Sequence, residues 1–175
     1  MTHAARKCGP GDNGKLTSSA KGVLQRELGL SGNLPEPDEL PYAIEAVSAA
    51  PGWGRLEIKR AQLRAFQKAH AWRLLIISSG RSKQYAAALR KHHGLSKAST
   101  LIGCLLRSLI PLKADTAADK DRASQRYAEW TQGVRYLHRK QILPSKVVKL
   151  GMKKGEGISI WAKRERRRRA AINDV

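Results

Sequence analysis

Acidic residues are scarce in this chain: 14 Asp and Glu stand against 34 Lys and Arg in 175 residues. The resulting formal charge of +20 and pI near 10.6 imply a polyanionic partner, or a shape open enough to tolerate self-repulsion. Cysteine is nearly missing. Cys8 lies in a glycine-rich start and Cys104 in an apolar run, so neither a disulfide framework nor a metal cluster is indicated, and a reducing interior suits the chain. Long apolar runs are missing too. Nothing approaches the roughly eighteen apolar residues of a membrane span, and MTHAARKCGPGDNGK lacks the apolar stretch of a signal peptide. The expectation is a soluble cytoplasmic protein without membrane attachment, nucleoid-associated if the host is bacterial.

Signatures of catalysis are equally sparse. No glycine-rich phosphate loop, dinucleotide fingerprint or serine-nucleophile motif occurs. His92 and His93 are adjacent, which sets their side chains about 100° apart on a helix, and His3, His70 and His138 have no cysteine or carboxylate at ligand spacing. Neither metal nor cofactor is expected. One enzymatic spacing is present: Pro37 and Asp38, then Glu57, Ile58 and Lys59, match the bare PD…ExK pattern of metal-dependent nucleases. That chemistry needs both acids and the lysine to project from neighbouring strands around Mg²⁺. Here Asp38 falls in a proline-rich loop and Glu57 opens a helical pattern, so the chain reads as non-enzymatic, with a nuclease kept as an alternative.

Alanine, leucine, lysine and arginine are abundant, while aromatics make up only 5% of the chain, with Trp53, Trp72, Trp130 and Trp161 the largest of them. This composition favours helices over strands. The expected fold is mainly α: a compact helical bundle with a helix-turn-helix candidate, a disordered N-terminus and a basic C-terminal helix or arm. Residues 1–15 read as disordered, 16–52 as short helices with a proline-rich acidic loop, 53–162 as the helical core domain and 163–175 as a basic tail.

Within this frame the pattern predicts helices over Ser18–Leu28 and Pro41–Ala49, the second ended by PGWG. A long helix follows over Arg55–Ile77, with Leu56, Leu63, Phe66, Leu74 and Ile77 on its apolar face. Ser82 is a candidate N-cap for Lys83–His92, and Ser96 for a helix ending at Pro111. The clearest signal is the alternation of four- and three-residue steps through Ala123, Tyr127, Trp130, Val134 and Leu137, which predicts a helix over Asp119–Lys140. A short helix at Ser145–Leu150 precedes GISIWAKRERRRRAAINDV, where Ile158, Trp161 and Ala162 anchor a helix that then turns basic.

The charge is unevenly placed. Residues 1–50 hold five basic and six acidic side chains, leaving 29 of the basic and 8 of the acidic residues, a net of +21, to the rest. Lys163, Arg164, Arg166, Arg167, Arg168 and Arg169 crowd around one acid in the tail, a run suited to releasing counterions from phosphates. Arg122, Arg126, Arg135 and Arg139 lie on the polar side of the Asp119–Lys140 helix. Ser78, Ser79, Gly80 and Arg81 suit either an anion or a plain helix break.

LRKHHGLSKASTLIG, residues 89–103, is the helix-turn-helix candidate. In that pattern glycine begins the turn, an apolar residue follows, and Ser or Thr caps a helix whose first side chains face the major groove. Gly94, Leu95 and Ser96 fit. Lys97, Ser99 and Thr100 would face the groove, with Ser82, Lys83 and Lys91 near phosphates. Arg90 and His93 stand where the pattern wants a small and an apolar residue, so an ordinary helix hairpin is the competing reading. Trp53 and Trp72 are candidates for stacking on unpaired bases, whereas Trp130 and Trp161 belong to the core.

These observations lead to the expectation of a non-catalytic nucleic-acid-binding protein, a DNA-binding regulator or architectural accessory that uses a basic face and tail. DNA is favoured over RNA. An RNA-binding or ribonucleoprotein-associated protein, and a module for an acidic protein partner, are the further alternatives.

Overall fold

The computed structural model describes residues 16–47 and 54–173. The stretch expected to be disordered, the Pro51–Trp53 break and the stacking role of Trp53 all lie outside the described residues. Among the described residues eight α-helices and one 3-10 turn follow in order: α1 (Ser18–Glu27), α2 (Leu40–Ala43), α3 (Arg55–Ser78), α4 (Ser82–His92), α5 (Leu101–Leu109), α6 (Ala117–Arg139), the 3-10 turn Pro144–Lys146, α7 (Val147–Gly151) and α8 (Ile158–Asn173). No strand occurs among the described residues.

The organising element is α3. Glu57 at its third position accepts a hydrogen bond from the Gly54 N–H at 2.7 Å, which fixes the entry of the chain. Leu56 and Ile58 in the first turns are exposed, so Leu56 does not belong to the apolar face expected for it. From Ala61 onward the helix is buried on more than one side, by Leu63, Phe66, Ala69, Trp72 and Ile76 among others. The reason is its place in the bundle: α1, α4, α5, α6 and α7 all pack against it. Alanines at 61, 65, 69 and 71 let those neighbours approach, at a spacing that a single amphipathic stripe does not describe.

Helix α6 follows its sequence pattern closely. Thr116 Oγ1 accepts from the Asp119 N–H at 3.1 Å while Asp119 accepts from the Thr116 N–H at 3.3 Å, a reciprocal cap that starts the helix two residues before Asp119. Ala123, Tyr127, Trp130, Val134 and Leu137 are all buried. Trp130 meets Phe66 and Tyr127 edge to face, with ring centroids 5.7 and 5.5 Å apart. The Tyr127 hydroxyl then donates to the Ile110 carbonyl at 2.7 Å and accepts from the Leu112 N–H at 3.0 Å, fixing the link from α5 to α6.

Helix α8 lies along α6. Gly133 makes the approach close, since a Cβ there would stand 3.2 Å from Ile158 Cγ2. Trp161 and Ala162 are fully buried, and Trp161 stacks on Tyr136 at 6.4 Å with the rings 7° from parallel. The same helix continues through Lys163–Asn173, where Glu165 is buried and nearly every described side chain beyond it is exposed.

Besides the earlier start of α6, several boundaries differ from those expected: in place of a helix over Ser145–Leu150 the chain forms the 3-10 turn Pro144–Lys146 and then α7. The helix expected over Pro41–Ala49 is one turn long, because the chain extends at Ile44 and the Val47 N–H donates to the Leu109 carbonyl at 2.7 Å. Ser82 is the first residue of α4, and not its cap. Ser96 does not cap α5: Thr100 does, accepting from the Gly103 N–H at 3.2 Å.

Candidate nucleic-acid interface

The α6–α8 seam gathers most of the basic residues singled out in the sequence. Steps of three or four residues set Arg122, Arg126, Glu129, Gln132, Arg135 and Arg139 along one side of α6. At 1.5 Å per residue this strip runs for roughly 25 Å. Arg166 from α8 joins Arg122, Arg126, Glu129 and Gln132 around an open groove of about 630 Å³. Arg122 reaches Asp119 only loosely, at 3.8 Å, with most of its side chain in solvent. Lys163, Arg167 and Arg169 are exposed on α8.

Beyond the groove the seam opens into a second cleft, of about 490 Å³, where α3 joins the wall. Arg73 reaches it from α3, Arg135, His138 and Arg139 from α6, and Arg168 and Arg169 from α8, around Glu165. Glu165 is 3% exposed and is held from two sides, by Arg139 Nε at 2.9 Å and Arg168 Nη2 at 2.9 Å. Those hydrogen bonds and charges outweigh its burial and keep its carboxyl below the ordinary carboxylate range. Burial, then the charge of Arg135, lowers the proton affinity of the Arg73 guanidinium, and burial, then Arg169, does the same to Arg135. Arg73 Nη1 is enclosed by protein and has no hydrogen-bond partner. His138 is held below its ordinary value by burial and by Arg73.

Not every expected residue is free to meet a ligand. Arg164 is tied to Glu156 at 2.8 and 3.0 Å, and Glu156 also accepts from Trp161 Nε1 at 2.6 Å, so this arginine serves to hold α8 to the turn before it. Arg139 and Arg168 are occupied by Glu165. Arg73 and His138 were not among the residues expected at the site. The signal for Arg73 was present in HAWRLLII, where an arginine interrupts an otherwise apolar stretch that cannot bury a charge without compensation.

The Lys83, Lys91, Lys97, Ser99 and Thr100 group lies elsewhere. Lys83 and Lys91 are exposed on α4, which packs on α2 and α5. Lys91 lines a shallow cleft with Glu36 and Asp38, next to the bidentate pair of Arg81 with Glu36 at 2.9 and 2.6 Å. Lys97, Ser99 and Thr100 precede α5 instead of opening it. Gly94, at φ +61°, ends α4, and the Leu95 N–H returns to the Arg90 carbonyl at 2.9 Å. Arg90 Nη1 donates to the Ser99 carbonyl at 3.2 Å, and the His93 ring bonds the Ser108 hydroxyl at 2.7 Å. The two residues that fit the helix-turn-helix pattern badly thus brace a longer loop. Behind it α5 is buried through Ile102, Cys104, Leu105, Leu106 and Leu109.

The PD…ExK residues do not share strands. Asp38 lies in the loop against α4, and Glu57 spends its carboxylate on the α3 cap. Trp72, Trp130 and Trp161 are each at most 8% exposed, which removes Trp72 as a stacking surface. No helix among the described residues is long and apolar enough to cross a membrane, and no group of three or more His, Cys, Asp or Glu among them is placed to hold a metal ion.

No family model matches the chain, and no curated protein or solved structure matches it. Fold and geometry define its class: among the described residues, an all-α protein with a solvent-facing α6–α8 seam lined with arginine.

Proposed function

We propose that the protein is a non-catalytic nucleic-acid-binding protein that holds duplex DNA by its phosphates, along the α6–α8 seam. The observation that carries this reading is the strip of Arg122, Arg126, Arg135, Arg166 and Arg169 on two helices locked together by Gly133, Tyr136 and Trp161. A rigid row of cations about 20 Å long on α6, interrupted by Glu129 and joined by α8, suits backbone phosphates and gains affinity by counterion release. Burial of Trp72, Trp130 and Trp161 removes these three as stacking platforms of the kind that usually hold a single strand. Recognition of sequence by a helix after Gly94 finds no support in a buried α5, so the binding proposed is indifferent to sequence, as suits an architectural accessory.

Fluorescence anisotropy with duplex DNA, single-stranded DNA and duplex RNA, each at two salt concentrations, tests the proposal. Duplex DNA binds tightest, and its affinity falls steeply with salt. The triple variant Arg122→Ala, Arg126→Ala, Arg166→Ala weakens binding to every sequence and reduces the log–log salt slope by about 2–3. Lys83→Ala with Lys91→Ala changes neither. Indifference to all three nucleic acids would overturn the proposal and favour an acidic protein partner.

A further inference from the structure

We propose that the cleft between α3, α6 and α8 binds a phosphate monoester, the doubly charged end group of a 5′-phosphorylated nucleic acid or of a free nucleotide. The inference shares Arg135 and Arg169 with the proposed duplex-binding seam, but it rests on the charge balance of the cleft itself.

Five guanidinium groups surround this cleft and, among the described residues, a single carboxylate. Glu165 is already shared by Arg139 and Arg168. Arg73, Arg135 and Arg169 are left without an acidic partner among the described residues, each on a different helix, converging from three walls. They also repel one another: Arg135 lowers the proton affinity of Arg73, and Arg169 that of Arg135, on top of the penalty of burial. Enclosing a cationic nitrogen with no partner, as at Arg73 Nη1, is costly to the fold. That nitrogen is out of reach of a ligand, but an anion seated in the cleft would offset the summed charge of the three guanidinium groups.

The geometry also selects the kind of anion. A monoester carries about −1.5 to −2 charges and three acceptor oxygens, and guanidinium forks present paired N–H donors to such oxygens. A phosphodiester carries one charge and continues as chain on both sides. One charge leaves most of the three unpaired guanidinium groups unbalanced, whereas a doubly charged end group answers more of them. His138, its proton affinity lowered by burial and by Arg73, adds a ring nitrogen at the wall.

Thermal unfolding of the full chain tests the site, with adenosine 5′-monophosphate, inorganic phosphate or adenosine added to NaCl at matched ionic strength. The two phosphates raise Tm by about 3–6 °C at tenfold excess over Kd, and adenosine does not. Arg73→Gln and Arg169→Gln abolish the rise, while Lys83→Gln keeps it in full. In NaCl alone Arg73→Gln melts no earlier than the parent protein, because it removes a repelling charge; a purely structural arginine would predict earlier melting. If Arg73→Gln does not fold, Arg169→Gln, at an exposed position on α8, carries the test. No rise in the parent protein, or a rise unchanged in both variants, would overturn the proposal.

Duplexes with a 5′-phosphate or a 5′-hydroxyl separate the sources. A preference of fivefold or more for the phosphorylated end, lost in Arg73→Gln, assigns the site to a nucleic-acid terminus; a response to the mononucleotide without that preference assigns it to a free nucleotide. Duplex binding with no mononucleotide response sinks this site and leaves the seam, and the reverse result does the opposite.

Discussion

His70 is 1% exposed in the middle of α3, and its Nε2–H donates to the Ile142 carbonyl at 2.9 Å, which ties the chain leaving α6 to the centre of the bundle. Its Nδ1 is buried with no partner. A second proton would therefore enter an apolar site next to His138 and Arg73, and burial holds the His70 pKa down at about 4 against an ordinary 6.5. Between those values the unfolded chain takes up a proton that the folded chain refuses. The stability due to neutral His70 is complete above about pH 6.5 and is lost as pH falls toward 4, a loss of about 3 kcal/mol over the window. His93 and His138 are shifted the same way and add to the slope. His70→Gln keeps an N–H for Ile142 and has nothing to titrate. Urea unfolding at intervals from pH 4 to 7 is expected to show the slope reduced by up to about 1.4 kcal/mol per pH unit relative to the parent. An undiminished slope would mean that His70 does not carry the effect.

Helix ends show where sequence reading succeeds and where it stops. Helices α1 and α4 close alike, with Gly29 at φ +73° and Gly94 at φ +61° followed by an N–H returning to the carbonyl five residues back, from Leu30 to Gln25 and from Leu95 to Arg90. Both were legible, because glycine after an apolar period marks such an end. Helix α6 makes the same closure, Ile142 N–H to Leu137 at 3.0 Å, with Gln141 at φ +52° in the glycine position. No residue type announced it, and the left-handed conformation costs a side chain about 1 kcal/mol that glycine does not pay. Gln141→Gly is thus expected to raise Tm by about 2–4 °C, checked by calorimetry; a fall would show that the glutamine side chain, which lines the phosphate cleft, offsets its own strain. The start of α5 was misplaced for a related reason. Ser96 and Thr100 are equally good caps in isolation, and what selects Thr100 is tertiary: Arg90 and His93 brace the intervening loop from α4. The apolar face of α3 was drawn as one stripe because a pattern cannot say that five other helices surround it.

For the whole molecule the sequence located the charge but not its direction. The arginines of α6 were legible as one side of a periodic helix, and so was the basic run of α8. Their meeting in one seam was not, since it depends on Gly133 and Tyr136 receiving Ile158 and Trp161 across some 25 residues of chain. Nor was the division of labour among the arginines, because only the fold brings Glu165, which is buried, to Arg139 and Arg168, and Glu156, which is half-buried, to Arg164. A molecule with +20 charges, 29 of its 34 basic residues beyond residue 50, and its main unpaired cluster in a cleft is compact at an electrostatic cost. That cost is screened when the Debye length shrinks from about 30 Å at 0.01 M salt to about 8 Å at 0.15 M. Folding and binding are consequently expected to answer salt in opposite senses. Over that range Tm of the free protein rises with NaCl, while affinity for duplex DNA falls; at 0.01 M a saturating duplex supplies the missing negative charge and restores Tm to at least its 0.15 M value. Parallel melting curves with and without duplex at the two salt concentrations check this. A free protein whose Tm is flat or falls with salt would show that the arginines are spaced widely enough not to strain the fold, and would remove the energetic reason for reading the seam and cleft as anion sites.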